Sequence, residues 1–206
     1  MNRLLCLFLY TGLQVVSVKG YEKDFFNGYN STTCVCTTVP CPVEGENYLD
    51  EGGGGVGTYS YAANDNGIVI VRSAEVTITK SNLDGGTGTT SCTQSYSRTL
   101  DDDGKEDCDA GHILAHSLGG PGNQPINIFP QDAHVNRGAW AQYEGDIYDC
   151  LDSGSADSAK LSWKFVYDKT TDTKPISATY SVDYSGGNKE DPECVDKSQE
   201  FTNAGR

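Results

Sequence analysis

The stretch from Asp109 to Glu144 reads DAGHILAHSLGGPGNQPINIFPQDAHVNRGAWAQYE. It holds every histidine of the protein: His112, His116 and His134. It also carries the amides Asn123, Asn127 and Asn136 and ends on the carboxylate Glu144. An imidazole exchanges a proton near neutral pH, and amide and carboxylate oxygens suit a hard cation. Together they are equipment for metal-assisted hydrolysis, which needs an activated water and charge neutralisation at the bond to be broken.

Three elements must position these groups. AGHILAHSL is short, apolar and lacks a helical cap, so it suits a strand. GGPGNQP is a loop, and NIFP is extended because the residue before a proline avoids the helical region. Asp132 is a fair N-cap for a helix from about Ala133 to Leu151. Along it Trp140, Tyr143, Ile147 and Leu151 recur at spacings of three and four, an apolar stripe for a core. His112 then leaves the strand facing the loop, and Asn136 sits in the first helical turns. Glu144 lies about 12 Å further along the axis and about 80° around it, with its side chain leaning back toward the helix start. A cation held by Asn136 would feel Glu144 directly or through water, and Mg²⁺ needs few protein ligands. The helix start also favours phosphate.

Three ordered motifs sharpen this picture: Asp109-Ala110-Gly111-His112, Asn127-Ile128-Phe129-Pro130-Gln131, and Val135-Asn136-Arg137-Gly138-Ala139-Trp140 followed by Glu144. The set resembles the DNA/RNA non-specific endonucleases of the ββα-metal (His-Me finger) superfamily. Their signature is D-R-G-H on a strand, then N-x-x-P-Q, then L-N-x-G-x-W and a helical glutamate. The close similarity covers about 36 residues. The resemblance implies that His112 is the general base and that Asn136 is the protein ligand of Mg²⁺, with Mn²⁺ as a substitute. It implies that Glu144 holds metal-bound water and that Asn127 positions the histidine or the phosphate, the products carrying a 5′-phosphate. Ala110 departs from the pattern, because the family arginine is missing there. Arg137 and Arg98 are the candidates to replace that phosphate-binding cation, and His116 is either phosphate-contacting or structural. The short Gly-Gly-Pro-Gly loop is closer to a bacterial secreted-toxin branch. Read alone, His112 is a plain strand histidine, Trp140 a core residue, and Asp109 a brace for its loop.

The rest of the chain fits an exported enzyme. Residues 1–20, MNRLLCLFLYTGLQVVSVKG, have the charged start, apolar run and small final residue of a signal peptide. No other stretch is apolar enough to span a membrane. Of the eight cysteines, Cys6 leaves with the leader. The seven others imply three disulfides and an odd thiol, which allows a disulfide-linked dimer. A zinc site at Cys34, Cys36 and Cys41 is the alternative. Asn30-Ser31-Thr32 is a glycosylation sequon. Loss of Arg3 and Lys19 takes the formal charge from −14 to −16. That charge opposes diffuse attraction to a polyanion, so DNA or RNA would be gripped by a local basic site and bound cations.

Residues 21–58 read as a Cys- and Gly-rich extension, 59–185 as the nuclease domain and 186–206 as a polar tail tied down by Cys194. GIVIVRSAEVTITKSNL reads as one or two strands, CTQSYSRTL as a strand, and LSWKFVYD with ISATYSVDY as a β-pair. The acidic run from Asp101 to Asp109 reads as a solvated loop. The expected fold is α+β: a ββα-metal core whose antiparallel sheet packs on one long helix, with a disulfide-rich N-terminal extension. The expected function is a secreted Mg²⁺-dependent endonuclease. The alternatives are an inactive extracellular binding protein and a nuclease toxin or effector.

Overall fold

The computed structural model describes residues 41–49, 56–100, 108–188 and 191–203. The leader, the sequon, Cys34, Cys36, most of the Gly run and most of the acidic run lie outside the described residues.

A six-stranded antiparallel sheet forms the frame. Its strands are β1 (Gly45–Leu49), β2 (Val56–Ala63), β3 (Val69–Thr79), β6 (Ser158–Val166), β7 (Ser177–Ser185) and β8 (Lys197–Thr202), in that spatial order. The run from Gly67 makes the single long strand β3. Its inward positions Ala74, Val76 and Ile78 are buried while Glu75, Thr77 and Thr79 are exposed, the period-2 pattern of a half-buried strand. The β-pair around residues 167–176 is β6 and β7, in register from Ser158↔Ser185 to Val166↔Ser177. The sheet extends on both sides beyond residues 59–185. β1 pairs with β2, and β8, inside the polar tail, pairs with β7.

Between β3 and β6 the chain makes one excursion containing helix α1 (Ser91–Thr99), strands β4 (Cys108–His112) and β5 (Ile128–Asp132), and helix α2 (Ala141–Asp152). β4 and β5 form a separate antiparallel pair. Asp132 caps the helical run as expected, its Oδ1 accepting from the amides of His134 and Val135 at 3.0 Å each. The run is not one uniform helix. A turn over Ala133–Val135 passes into a π-turn over Asn136–Trp140, kinked at Gly138, before α2 proper.

The segment read as a strand at CTQSYSRTL is helix α1. Thr90 caps it by accepting from Thr93 N, and the Thr93 hydroxyl caps the Thr90 amide in return at 2.9 Å. Thr93, Tyr96, Ser97 and Leu100 are buried at spacings of three and four, so the helical period outweighs the weak alternation. Tyr96 and Leu100 pack with Ile70 and Ile128 in a small satellite core.

The expected stripe meets the sheet as an aromatic layer. Trp140 lies 5.1 Å from Tyr180 and 4.9 Å from Phe201, and Tyr143 lies 4.8 Å from Tyr180. Phe129 of β5 joins through Trp140 and Phe165. Aromatic pairs at these distances add to area burial, so helix, sheet and β-pair share one core. Among the described residues no helix is long and apolar enough to cross a membrane.

Cys194 does hold the tail, through a disulfide to Cys150 at the end of α2 that closes a loop of sequence separation 44. Loop-closure entropy assigns such a bridge about 2–4 kcal/mol. Cys194→Ser is therefore expected to lower the thermal midpoint by roughly 5–15 °C for a chain of this size, read by circular dichroism. An unchanged midpoint would show that β8 holds without it.

Candidate active site

β4 and β5 bring two of the motifs side by side. Asp109 pairs with Gln131, Gly111 with Phe129 and His112 with Ile128. A Cβ at Gly111 would lie 2.2 Å from Gln131 Oε1 and 2.6 Å from its Cβ. The glycine before His112 and the glutamine closing the second motif are therefore one packing requirement.

His112 ends β4, half-buried, with Nε2 3.1 Å from the Thr87 carbonyl. A carbonyl accepts only, so Nε2 carries the proton and Nδ1 keeps its lone pair. The same carbonyl accepts from Gly122 N at 2.8 Å, and Thr87 N donates to the Gly120 carbonyl at 3.1 Å. The Thr87 segment thus lies as a strap along Gly120–Gly122. A Cβ at Gly122 would sit 2.4 Å from His112 Nε2, and one at Gly120 would sit 1.7 Å from the Leu114 carbonyl. Neither position has room for a side chain. Burial lowers the His112 pKa below the usual value, the Thr87 carbonyl partly opposes this, and His116 lowers it further. The imidazole is therefore neutral at pH 7, the form a general base needs. His116 itself is exposed, on a 3₁₀ turn following the strand.

Asn127 is fully buried, and its amide is consumed inside the protein. Its Oδ1 accepts from Leu114 N at 2.8 Å and Tyr59 OH at 3.0 Å; its Nδ2 donates to the Leu114 carbonyl at 2.9 Å. A direct phosphate contact is thereby corrected, since the group has neither exposure nor spare valence. Asn127 clamps the backbone two residues beyond His112 and anchors it to β2 through Tyr59.

Asp109 gathers the first helical residues. Its Oδ2 accepts from Asn136 Nδ2 at 2.9 Å and from Arg137 Nε at 2.9 Å, and its Oδ1 accepts from Arg137 NH2 at 2.6 Å. This is a bidentate pair, the stronger kind. The Arg137 side chain nonetheless keeps 73% of its exposure. With Nδ2 committed to Asp109, Asn136 has Oδ1 left as the atom a cation would take. From sequence Asp109 reads as a brace for its loop; in the structure it braces the start of the helical run. Its place in the strand motif was the available clue to more. Arg98 lies exposed in the last turn of α1, where its neighbour Ser97 donates to the Asp109 carbonyl at 3.3 Å.

Glu144 Oε1 accepts from Trp140 Nε1 at 2.7 Å. Burial pushes its carboxyl up to about 8, against the lowering effect of the Trp140 bond. No described hydrogen bond links it to Asn136. Among the described residues no three His, Cys, Asp or Glu side chains cluster as a metal site, which excludes there a zinc-type cage. The donors do fit a hard, hydrated cation: the Asn136 amide oxygen and the half-buried Glu144 carboxyl on the same helical run.

Residues 76–183, just over half of the chain, match the profile of a family described as DNA/RNA non-specific endonuclease. The chain is also similar to the probable deoxyribonuclease RhsA of Dickeya dadantii (strain 3937), 36% identical over 119 residues. That match covers 58% of this chain but only 8% of the relative's length. Among solved structures it is similar to NucA from Streptococcus agalactiae. The form with no metal bound matches at 12% identity, TM-score 0.46, over 92% of this chain and 91% of that one. The form with magnesium ion bound matches at 11% identity, TM-score 0.47, over 77% and 82%.

Two outcomes follow from the geometry. Gly122→Ala should cut turnover at least about tenfold by displacing the imidazole, with the fold retained by circular dichroism; full activity would mean the Thr87 strap does not fix His112. Glu144 has its folded-state pKa raised from 4.5 to about 8. Its contribution to stability is therefore present below pH 4.5 and lost as pH rises toward 8. In EDTA, Glu144→Gln should match the wild-type melting temperature at pH 4.5 and exceed it at pH 8. Equal midpoints at both pH values would refute a desolvated carboxyl.

Proposed function

The chain belongs to the DNA/RNA non-specific endonuclease family, and from that premise we propose a metal-dependent endonuclease that hydrolyses phosphodiester bonds of DNA, RNA or both. The observation that carries the mechanism is the neutral His112 imidazole, tied by Nε2 to the Thr87 carbonyl with Nδ1 free to take a proton. Nδ1 removes a proton from water as the water oxygen bonds to phosphorus. The bond from phosphorus to the 3′-oxygen breaks, leaving the phosphate on the 5′ side, and the departing oxygen is protonated from solvent. Asn136 Oδ1 would hold Mg²⁺ or Mn²⁺, and Glu144 would reach it through water. When bound, the cation neutralises charge on the phosphate and the leaving oxygen.

Arg137 is the residue we assign to the phosphate in place of the arginine missing at Ala110. Support comes from its anchoring on Asp109, one residue away on β4, and from its exposure. His116 and Arg98 are assigned weaker, outer contacts with the nucleic acid. We further propose that residues 1–20 direct export and that the protein acts outside the cell. A second reading, an extracellular binding protein that has lost activity, is favoured by Ala110 and by the formal charge of −14.

Incubation of a plasmid and of an RNA with the protein, with and without EDTA, separates the two readings. Cleavage should vanish on chelation and return with Mg²⁺. His112→Ala should reduce it by about 10²–10⁴-fold. Because the His112 pKa is depressed, the acidic limb of kcat/KM should have its midpoint below 6.5, with activity rising as the imidazole loses its proton. Cleavage indifferent to EDTA or to His112→Ala would reject this mechanism, and none at any metal concentration would leave the binding protein.

A further inference from the structure

The loop between β6 and β7 grips the strand that leads into the active site. Two of its residues are pinned. The Thr173 hydroxyl donates to the Leu100 carbonyl at 2.8 Å, and the Pro175 carbonyl accepts from Asn203 Nδ2 at 2.8 Å. Asn203 also donates to the Pro130 carbonyl at 3.0 Å and accepts from Asp132 N at 2.7 Å, both on β5. Between the two pins stands Lys174, a lysine only 4% exposed. Its Nζ lies 2.8 Å from Sγ of Cys108, the first residue of β4. Cys108 is half-buried and pairs with Asp132 across the ladder.

Two nucleophiles are thus held at contact distance, and the nuclease mechanism uses neither. An ammonium beside a sulfur favours the thiolate, the form that reacts with peroxides. A neutral thiol is a weak acceptor, so the contact is strongest with the sulfur charged. A lysine loses much rotamer freedom on burial. Folding has already spent that entropy here, so the amine needs no search to reach the sulfur.

We propose that Cys108 and Lys174 form an oxidation site that closes into a covalent sulfur–nitrogen bridge when peroxide is present. The Cys108 thiolate attacks the peroxide. An S–O bond forms, the O–O bond breaks, and the hydroxide released takes a proton from the Lys174 ammonium to leave as water. Cysteine is oxidised to sulfenic acid and peroxide is reduced. The neutral amine then attacks the sulfur. An N–S bond forms, the S–O bond breaks, and the hydroxyl departs with a proton from nitrogen as a second water. Sulfenic acids condense with a neighbouring backbone nitrogen in the same way, and a lysine amine is the stronger nucleophile. The bridge joins residues 66 apart in sequence, so it staples the excursion to the frame as a disulfide would. It also fixes β4 one residue before Asp109, which holds Asn136 and Arg137.

The chain's single methionine is Met1, so cysteine is the main sulfur for peroxide to attack. The test treats the full chain with hydrogen peroxide, digests it with trypsin without reductant, and maps the peptides by mass spectrometry. Peptides 106–137 and 170–189, which carry Cys108 and Lys174, should appear joined and lighter than their sum by two hydrogens. Dithiothreitol should separate them. The melting temperature should rise by roughly 5–15 °C on treatment. Lys174→Arg keeps the positive charge but not the amine, so it should give no joined pair and carry Cys108 on to sulfinic acid. Should Lys174→Arg fail to fold, the wild-type map decides alone. The site is overturned if the wild type yields no joined pair, if its Cys108 runs on to sulfinic acid, or if the pair keeps an added oxygen. A disulfide from Cys108 to another cysteine before peroxide is added would also overturn it. The readout is mass, so an inactive nuclease centre would leave the result intact.

Discussion

The carboxylate of Asp109 is the joint on which the candidate site turns. It sits on β4, three residues before His112, and it takes hydrogen bonds from Asn136 and Arg137 at the start of the helical run. These bonds tie the start of the helical run to the strand that carries His112. They also orient both helical groups: the Asn136 amide has one free end, and the Arg137 guanidinium is held flat yet exposed. A charge-assisted pair of this kind gives geometric definition beyond its modest energy.

The other half of the site is built by removing side chains. His112 is seated where the Thr87 strap and the Gly120–Gly122 turn approach too closely for any Cβ. The backbone, not a side chain, then chooses the tautomer. Asn127 does a similar service from below, spending its amide on Leu114 and Tyr59. The imidazole is thus held by a main-chain carbonyl, which has few ways to relax, while Glu144 sits half-buried, where desolvation disfavours its charge.

Legibility in the sequence followed the strength of the local signal. The long helix could be read because Asp132 caps it and Trp140, Tyr143, Ile147 and Leu151 keep one period. The β6–β7 pair could be read because its alternation is regular. Helix α1 could not, because two of its three buried positions, Thr93 and Ser97, are polar, and its cap is a pair of threonines rather than an acid. Strand β8 has a single apolar anchor, Phe201, so its KSQEFT looks like tail. At the site, His112, Asn136 and Glu144 were visible as chemistry. Asp109 as an orienting group and Asn127 as an internal clamp were not, since both roles depend on partners 13 to 68 residues away. The Thr87 carbonyl has no side-chain signature at all.

The excursion between β3 and β6 begins and ends at one place, for Thr79 and Ser158 are direct partners across the sheet. The three strands before that point form one meander and the three after it another, and the two are stitched together along β3 and β6. Such an arrangement makes the frame indifferent to the length of what is inserted, because the entropy of closing a loop grows only logarithmically. Loops of the insert can therefore lengthen at little cost, whereas α2 and β5 share the aromatic core with the sheet and keep their place only by packing on it.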